Sequence, residues 1–83
     1  MSAERIKVIA HSGYRGEETP MALILNDEKI EVTEILDRWV EEDLEDRSRK
    51  RFFLLKGRDG KRHKLYYAEE LMEWYYVGKE RRE

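Results

Sequence analysis

Residues 51–67 read RFFLLKGRDGKRHKLYY. Two apolar and aromatic runs, 51–56 and 63–67, flank Gly57-Arg58-Asp59-Gly60 and a short basic stretch. Asp-Gly favours the positive backbone angles that tight hairpin turns need, and Phe, Leu and Tyr suit a pleated, half-buried surface. Turn chemistry and local propensity agree on a β-hairpin. Because side chains alternate along a strand, the first run must send either Phe53 and Leu55 or Phe52 and Leu54 into a core.

Upstream of the hairpin, residues 29–46 admit two readings. Val32, Ile35, Leu36, Trp39, Val40 and Leu44 fall at helical spacing, with Thr33 as a candidate N-cap. Read as a strand, Ile30 and Val32 alternate correctly, and the phase must then slip near Thr33 or Glu34 to bring Ile35 and Trp39 inward, which requires a bulge. The short strands on either side favour the second reading, one long, bulged and curved strand. Residues 4–10 alternate with Ile6, Val8 and Ala10 on one side, and are expected as the first strand. A second strand is expected over 21–25, with residues 26–29 as a turn into the third.

The remaining segments are read from composition. Residues 11–20 hold two Gly and the single Pro and are expected as a loop, with Tyr14 and Arg15 as recognition residues at its tip. Residues 41–50 carry one apolar side chain and read as a solvated loop or frayed helical turn. Residues 68–72 suggest a single helical turn, and 73–77 a last strand with Trp74 and Tyr76 on one face. Residues 1–77 form one domain on this reading, and 78–83 a charged, disordered tail. Both tryptophans are expected in the core.

With 83 residues the chain is near the size at which one core just suffices. Charged residues make up 43% of it, so the two Trp, five Tyr and two Phe must supply much of the buried surface. There is no Cys, which excludes disulfides, thiolate metal sites and a cysteine nucleophile and suits a cytoplasmic protein. No run of apolar residues is long enough to span a membrane. No cofactor or metal motif is present: the acidic run from Asp37 to Asp46 lacks the spaced oxygens and glycine of a calcium loop, and Gly13-x-x-Gly16 reads as a turn. His11 beside Ser12 has no oxyanion motif, and neighbours on a strand point to opposite faces, so no catalytic residues are assigned and a non-enzymatic role is expected.

Charge is segregated. Residues 27–46 hold ten acidic and two basic side chains, a local net charge of −8, whereas residues 47–64 hold nine basic and one acidic, a net of +8. The basic block interleaves cations with rings, as a single-stranded nucleic-acid platform requires, cations for phosphates and flat rings for bases. The alternative is that the two blocks pair across a sheet or face water.

The order Glu18-x-Pro20, Ile30-x-Val32, Ile35-Leu36-x-Arg38-Trp39, Arg51-x-Phe53, Asp59-Gly60, Leu65-x-Tyr67 and Trp74 resembles a group of small uncharacterised bacterial domains. Similar modules accompany Y-family DNA polymerases in some bacteria. The resemblance covers residues 18–77 and rests mostly on turn and core positions. It implies an all-β chain: a single small SH3-like barrel of five or six antiparallel strands, with at most one short helix. It assigns no site residues.

The expectation for function is a binding module. The first reading is a protein-interaction adaptor using an aromatic groove or a sheet edge, with the last strand as an open edge that a partner strand or a second copy could pair with, giving a monomer or a weak homodimer. The alternative is single-stranded nucleic-acid binding through residues 49–67. Candidate binding residues are Tyr14, Arg15, Arg49, Arg51, Arg62, Lys64 and Tyr66. If Arg49, Arg51, Arg62 and Lys64 form an open stripe with outward rings, the nucleic-acid reading gains; if acids interleave with them, the adaptor reading gains.

Overall fold

Two turns set the register of the chain. Asn26 and Asp27 both hold positive φ, 53° and 63°, the pattern of a two-residue hairpin turn whose twist matches that of the strands it joins. The turn is therefore shorter than the 26–29 read from polarity alone. In the second turn Gly60 sits at φ 80°, the Gly57 N–H donates to the Lys61 carbonyl at 2.9 Å, and the Lys61 N–H donates to Asp59 Oδ1 at 3.0 Å. The Asp-Gly signal thus places the central hairpin correctly.

The computed structural model describes residues 3–12 and 18–79. Six strands follow in order: β1 (Glu4–Ser12), β2 (Glu18–Leu25), β3 (Glu28–Glu42), β4 (Arg49–Gly57), β5 (Arg62–Ala68) and β6 (Glu73–Lys79). Each pairs antiparallel with the next, and β6 pairs back onto β1 through Glu4↔Tyr76, Arg5↔Tyr75 and Ile6↔Trp74, so the sheet closes into a barrel. The chain is all-β, with no helix among the described residues. Closure corrects one expectation: β6 forms the seam of the barrel at Trp74 to Tyr76 and is not an open edge there.

Strand β3 is the long curved strand that short neighbours favoured over a helix. It pairs with β2 through Glu28 to Glu31 and with β4 from Val32 to Glu42. The register slips twice, between Val32 and Glu34 and again between Ile35 and Asp37. The first slip is the bulge that the phase conflict at Thr33 demands; there the Thr33 hydroxyl donates to the Lys56 carbonyl at 3.0 Å. The second has no counterpart in the sequence reading, and it decides where Trp39 goes.

Other boundaries differ for local reasons. Strand β1 runs on through Ser12 and β2 begins at Glu18, so the 11–20 loop is narrower than its composition suggests. Pro20 is buried in β2 opposite Ala10, beside a bulge at Met21 of the same strand, a position where a missing N–H is tolerated. The 41–50 segment is trimmed by both flanking strands to a turn over 43–48, held by Asp43 N–H to Ser48 O at 2.9 Å and Arg47 N–H to Asp43 O at 2.7 Å. Residues 69–72 make one turn closed by Met72 N–H to Ala68 O at 2.8 Å, ending with Met72 at φ 56°. A side chain at positive φ stops that turn from growing into a helix. β6 extends through Gly78 and Lys79, two residues into the expected tail.

Leu23, Ile30, Phe53, Leu55, Leu65 and Trp74 form the core, with Ile6, Val8, Val32, Ile35 and Tyr76 among the residues packed around it. Phe53 and Leu55, not Phe52 and Leu54, are the inward pair. Trp74 packs on Phe53 at 5.6 Å and on Tyr67 at 4.9 Å between ring centroids. At the closed end of the hairpin, Gly57 lies where a Cβ would meet Ile30 Cγ2 and Asp59 Oδ1 at 2.7 Å each. Gly57→Ala is expected to destabilise the barrel by about 1–2 kcal/mol, because one of these contacts is a core methyl that must be displaced; chemical denaturation of the variant checks this.

Candidate functional site

The register of four strands builds an aromatic ladder on the outside of the barrel. Trp39 pairs with Phe52, Phe52 with Tyr66, and Tyr66 with Tyr75, so one ring from each of β3, β4, β5 and β6 stands on the same face. Trp39 and Phe52 are parallel within 5° at 5.3 Å; Phe52 and Tyr66 are tilted by 40° at 5.1 Å; Tyr66 and Tyr75 stack at 5.2 Å and 18°. Trp39 joins this face only because of the second bulge. With one bulge, Ile35 and Trp39 would point inward together; skipping Leu36 turns Asp37 and Trp39 outward and sends Arg38 and Val40 to the inner side. The expectation of a core Trp39 is corrected accordingly.

Charged groups frame the rings. The Lys64 ammonium lies 5.5 Å from the Trp39 ring and 5.6 Å from Phe52, and that of Lys50 5.3 Å from Tyr66. Trp39 Nε1–H donates to Glu41 Oε2 at 3.0 Å. The Tyr75 hydroxyl donates to Glu73 Oε1 at 2.8 Å, and Arg5 reaches the other oxygen of Glu73 at 3.4 Å. The bond to Glu73, with burial and the charge of that carboxylate, pushes the Tyr75 phenol above its ordinary value, so it stays a neutral donor. Beyond Tyr66 and Tyr75 the face opens into a groove of about 370 Å³, with Ala68 and Leu71 apolar and Asp43, Asp46, Arg49 and Glu70 at its rim.

The segregated charges meet across strands. Glu34 stands opposite Lys56, Glu41 opposite Lys50 and Glu42 opposite Arg49, while Arg58 binds Glu31 at 2.9 Å. Acids therefore interleave with the basic block, and the open cationic stripe does not form. Of the candidate residues, Lys64 and Tyr66 come together in the ladder, and Arg49 lines the groove. Arg62 is exposed on the same face but farther along β5, opposite Lys56. Arg51 is on the other face of β4 and is half-buried in an ion pair with Glu69. Tyr14 and Arg15 lie outside the described residues. Phe52, Lys50, Tyr75 and Trp39 are not among the candidate residues: the first three join this face through cross-strand register, which alternation within a single strand does not reveal, and Trp39 joins it through the second bulge.

His63 is fully buried, unlike the basic residues around it in sequence. Its Nδ1 lies 2.9 Å from the Tyr76 hydroxyl and its Nε2 3.1 Å from Asp59 Oδ2, so one ring joins the hairpin turn to β6 across the barrel. Burial raises the Asp59 carboxyl, but the Lys61 N–H, the His63 ring and the charges of His63 and Lys61 outweigh it and hold the group below the ordinary 3.8. A carboxyl depressed in the folded state contributes stability that is complete above pH 3.8 and is lost as pH falls through the lower folded value. Urea midpoints are expected to drop below that pH, and Asp59→Asn to flatten the drop in part; Asp46, held low by the Ser48 backbone N–H, acts in the same direction.

Among the described residues no three His, Cys, Asp or Glu side chains are grouped to hold a metal ion, and no helix is long and apolar enough to cross a membrane. No protein-family model, curated protein or solved structure matches the chain. The geometry of the outer face therefore carries the functional argument.

Proposed function

We propose that this domain is a protein-interaction module that receives its partner on the aromatic face of β3 to β6. One observation carries the reading: four rings stand in register on the solvent side of a barrel that already has a complete core on its inner side. Aromatic anchors set in a rim of mixed charge are the composition of protein contact surfaces. The adjoining groove, with apolar and aromatic residues inside and both signs of charge at its edge, extends the same surface.

The nucleic-acid reading is weaker on two grounds. Bases stack on the faces of rings, and here the central rings spend their faces on one another. Acids interleaved with the lysines also repel phosphates. Titration with single-stranded DNA and RNA at low salt is expected to give no saturable change in tryptophan fluorescence. In affinity capture from source cells, Tyr66→Ala and Lys64→Glu are expected to lose a protein retained by the parent domain while keeping the parent's far-UV spectrum. Saturable, salt-sensitive oligonucleotide binding that moves the Phe52 and Tyr66 amides would replace this reading with the second.

A further inference from the structure

The second half of β3 is paired on one side only. From Val32 to Glu42 it bonds to β4, while β2 leaves it after Glu31, so its other edge has no strand partner among the described residues. The Arg38 N–H donates to Asp37 Oδ1 at 2.8 Å, which turns that N–H away from β4; antiparallel alternation then turns the N–H and C=O groups of Val40 and Glu42 the same way. This is an open row of backbone donors and acceptors.

The side chains beside that edge differ between its two faces. On the outer face stand Asp37, Trp39 and Glu41, and none of the acids Glu34, Asp37, Glu41 and Glu42 makes an ion pair among the described residues. Trp39 stacks on Phe52, has the Lys64 ammonium 5.5 Å from its ring centroid, and stays half-buried beside the edge. On the inner side Val40 is exposed, next to a cavity of about 140 Å³ that Arg38 and Phe53 also line. Over residues 37–42 three carboxylates outnumber the single cation Arg38, so a second copy would bring net like charge to this edge, and a nucleic acid would bring phosphates to the same carboxylates.

We infer that the β3 edge accepts an extended peptide strand from a partner protein, one that alternates Lys or Arg with apolar residues. Its cations meet Asp37 and Glu41, its apolar side chains meet Val40 and the cavity, and its backbone continues the sheet. The inference rests on the protein-interaction reading and names the chemistry of the partner.

The test uses the whole isotope-labelled chain and capped eight-residue peptides of alternating Lys and Val, or Glu and Val. The Lys peptide is expected to shift the Arg38, Val40 and Glu42 amides. The Glu peptide should leave them unmoved, and N-methylation of alternate Lys-peptide residues on the paired side should abolish the shifts. Glu41→Lys with Glu42→Lys, both exposed, should weaken binding about tenfold or more. Equal binding of the two peptides, indifference to N-methylation, or no shift with any peptide overturns the inference. Shifts confined to Tyr66 and Tyr75 also overturn it while leaving the aromatic-face reading intact; failure of that reading would show instead in the capture experiment.

Discussion

Replacing His63 by alanine is expected to cost the barrel about 3–5 kcal/mol, the largest effect of any single polar substitution among the described residues. Three losses combine. The ring is fully buried and Gly57 packs against it, with the Cβ position of Gly57 only 3.3 Å from His63 Cδ2, so its removal opens a void. The hydroxyl of the half-buried Tyr76 loses its partner, and the Asp59 carboxylate, on the exposed turn, loses the group that orients it. His63→Gln, which keeps polar atoms near both partners, should recover part of the loss, whereas Tyr76→Phe should cost less than His63→Ala because it removes one hydroxyl and keeps the ring. Equilibrium urea denaturation of the three variants orders them, and a His63→Ala cost near zero would mean that the hydrogen-bonded chain contributes nothing to the fold.

Phe52→Ala is expected to remove about 3 kcal/mol of stability and, with it, partner binding. Phe52 is the most buried ring of the ladder, at 8% exposure, although it belongs to the outer face. It owes that burial to Trp39 on one side and Tyr66 on the other, with Lys64 above. Its loss leaves Trp39 without its stacking partner and splits the ladder into an isolated indole and a Tyr66–Tyr75 pair. Tyr75→Ala, at the end of the row, should leave stability nearly unchanged and weaken binding alone. Denaturation and capture of the two variants separate the contribution of these rings to the fold from their contribution to recognition.

The parts of the fold that were legible in the sequence are those where a local rule had no competitor. Asp59-Gly60 fixed the central hairpin because few residues tolerate its backbone angles, and Ile30, Val32 and Ile35 could share one side of a strand only if a bulge lay between them. The second bulge was hidden because apolar residues occupy both phases, Trp39 in one and Leu36 and Val40 in the other; the signal against a single bulge, which would carry Asp37 and Glu41 inward beside Trp39, was outweighed by the size of the indole. The burial of His63 had a signal of its own: it alternates with Leu65 and Tyr67, both inward, although Arg62 and Lys64 flank it in sequence. The candidate site was legible in part for a similar reason. Charge drew attention to Arg51 and Arg62, whereas cross-strand register, which a sequence does not display, selected Trp39, Phe52, Tyr66 and Tyr75.

The skipped residue in β3 makes the surface of this domain a matter of reading frame. Deleting Leu36 removes the residue that the pairing with β4 skips and is expected to leave every side chain from Asp37 to Glu42 on its present face, whereas pairing Leu36 with β4 as a regular strand residue would exchange the two faces of that stretch. Trp39 would enter the barrel, Arg38 and Val40 would emerge beside Phe52, and the ladder would lose its first rung. The bulge, and not any one side chain, is thus the switch between two different exteriors carried on one unchanged core, a route by which closely related chains could come to differ in what they bind while sharing almost every residue.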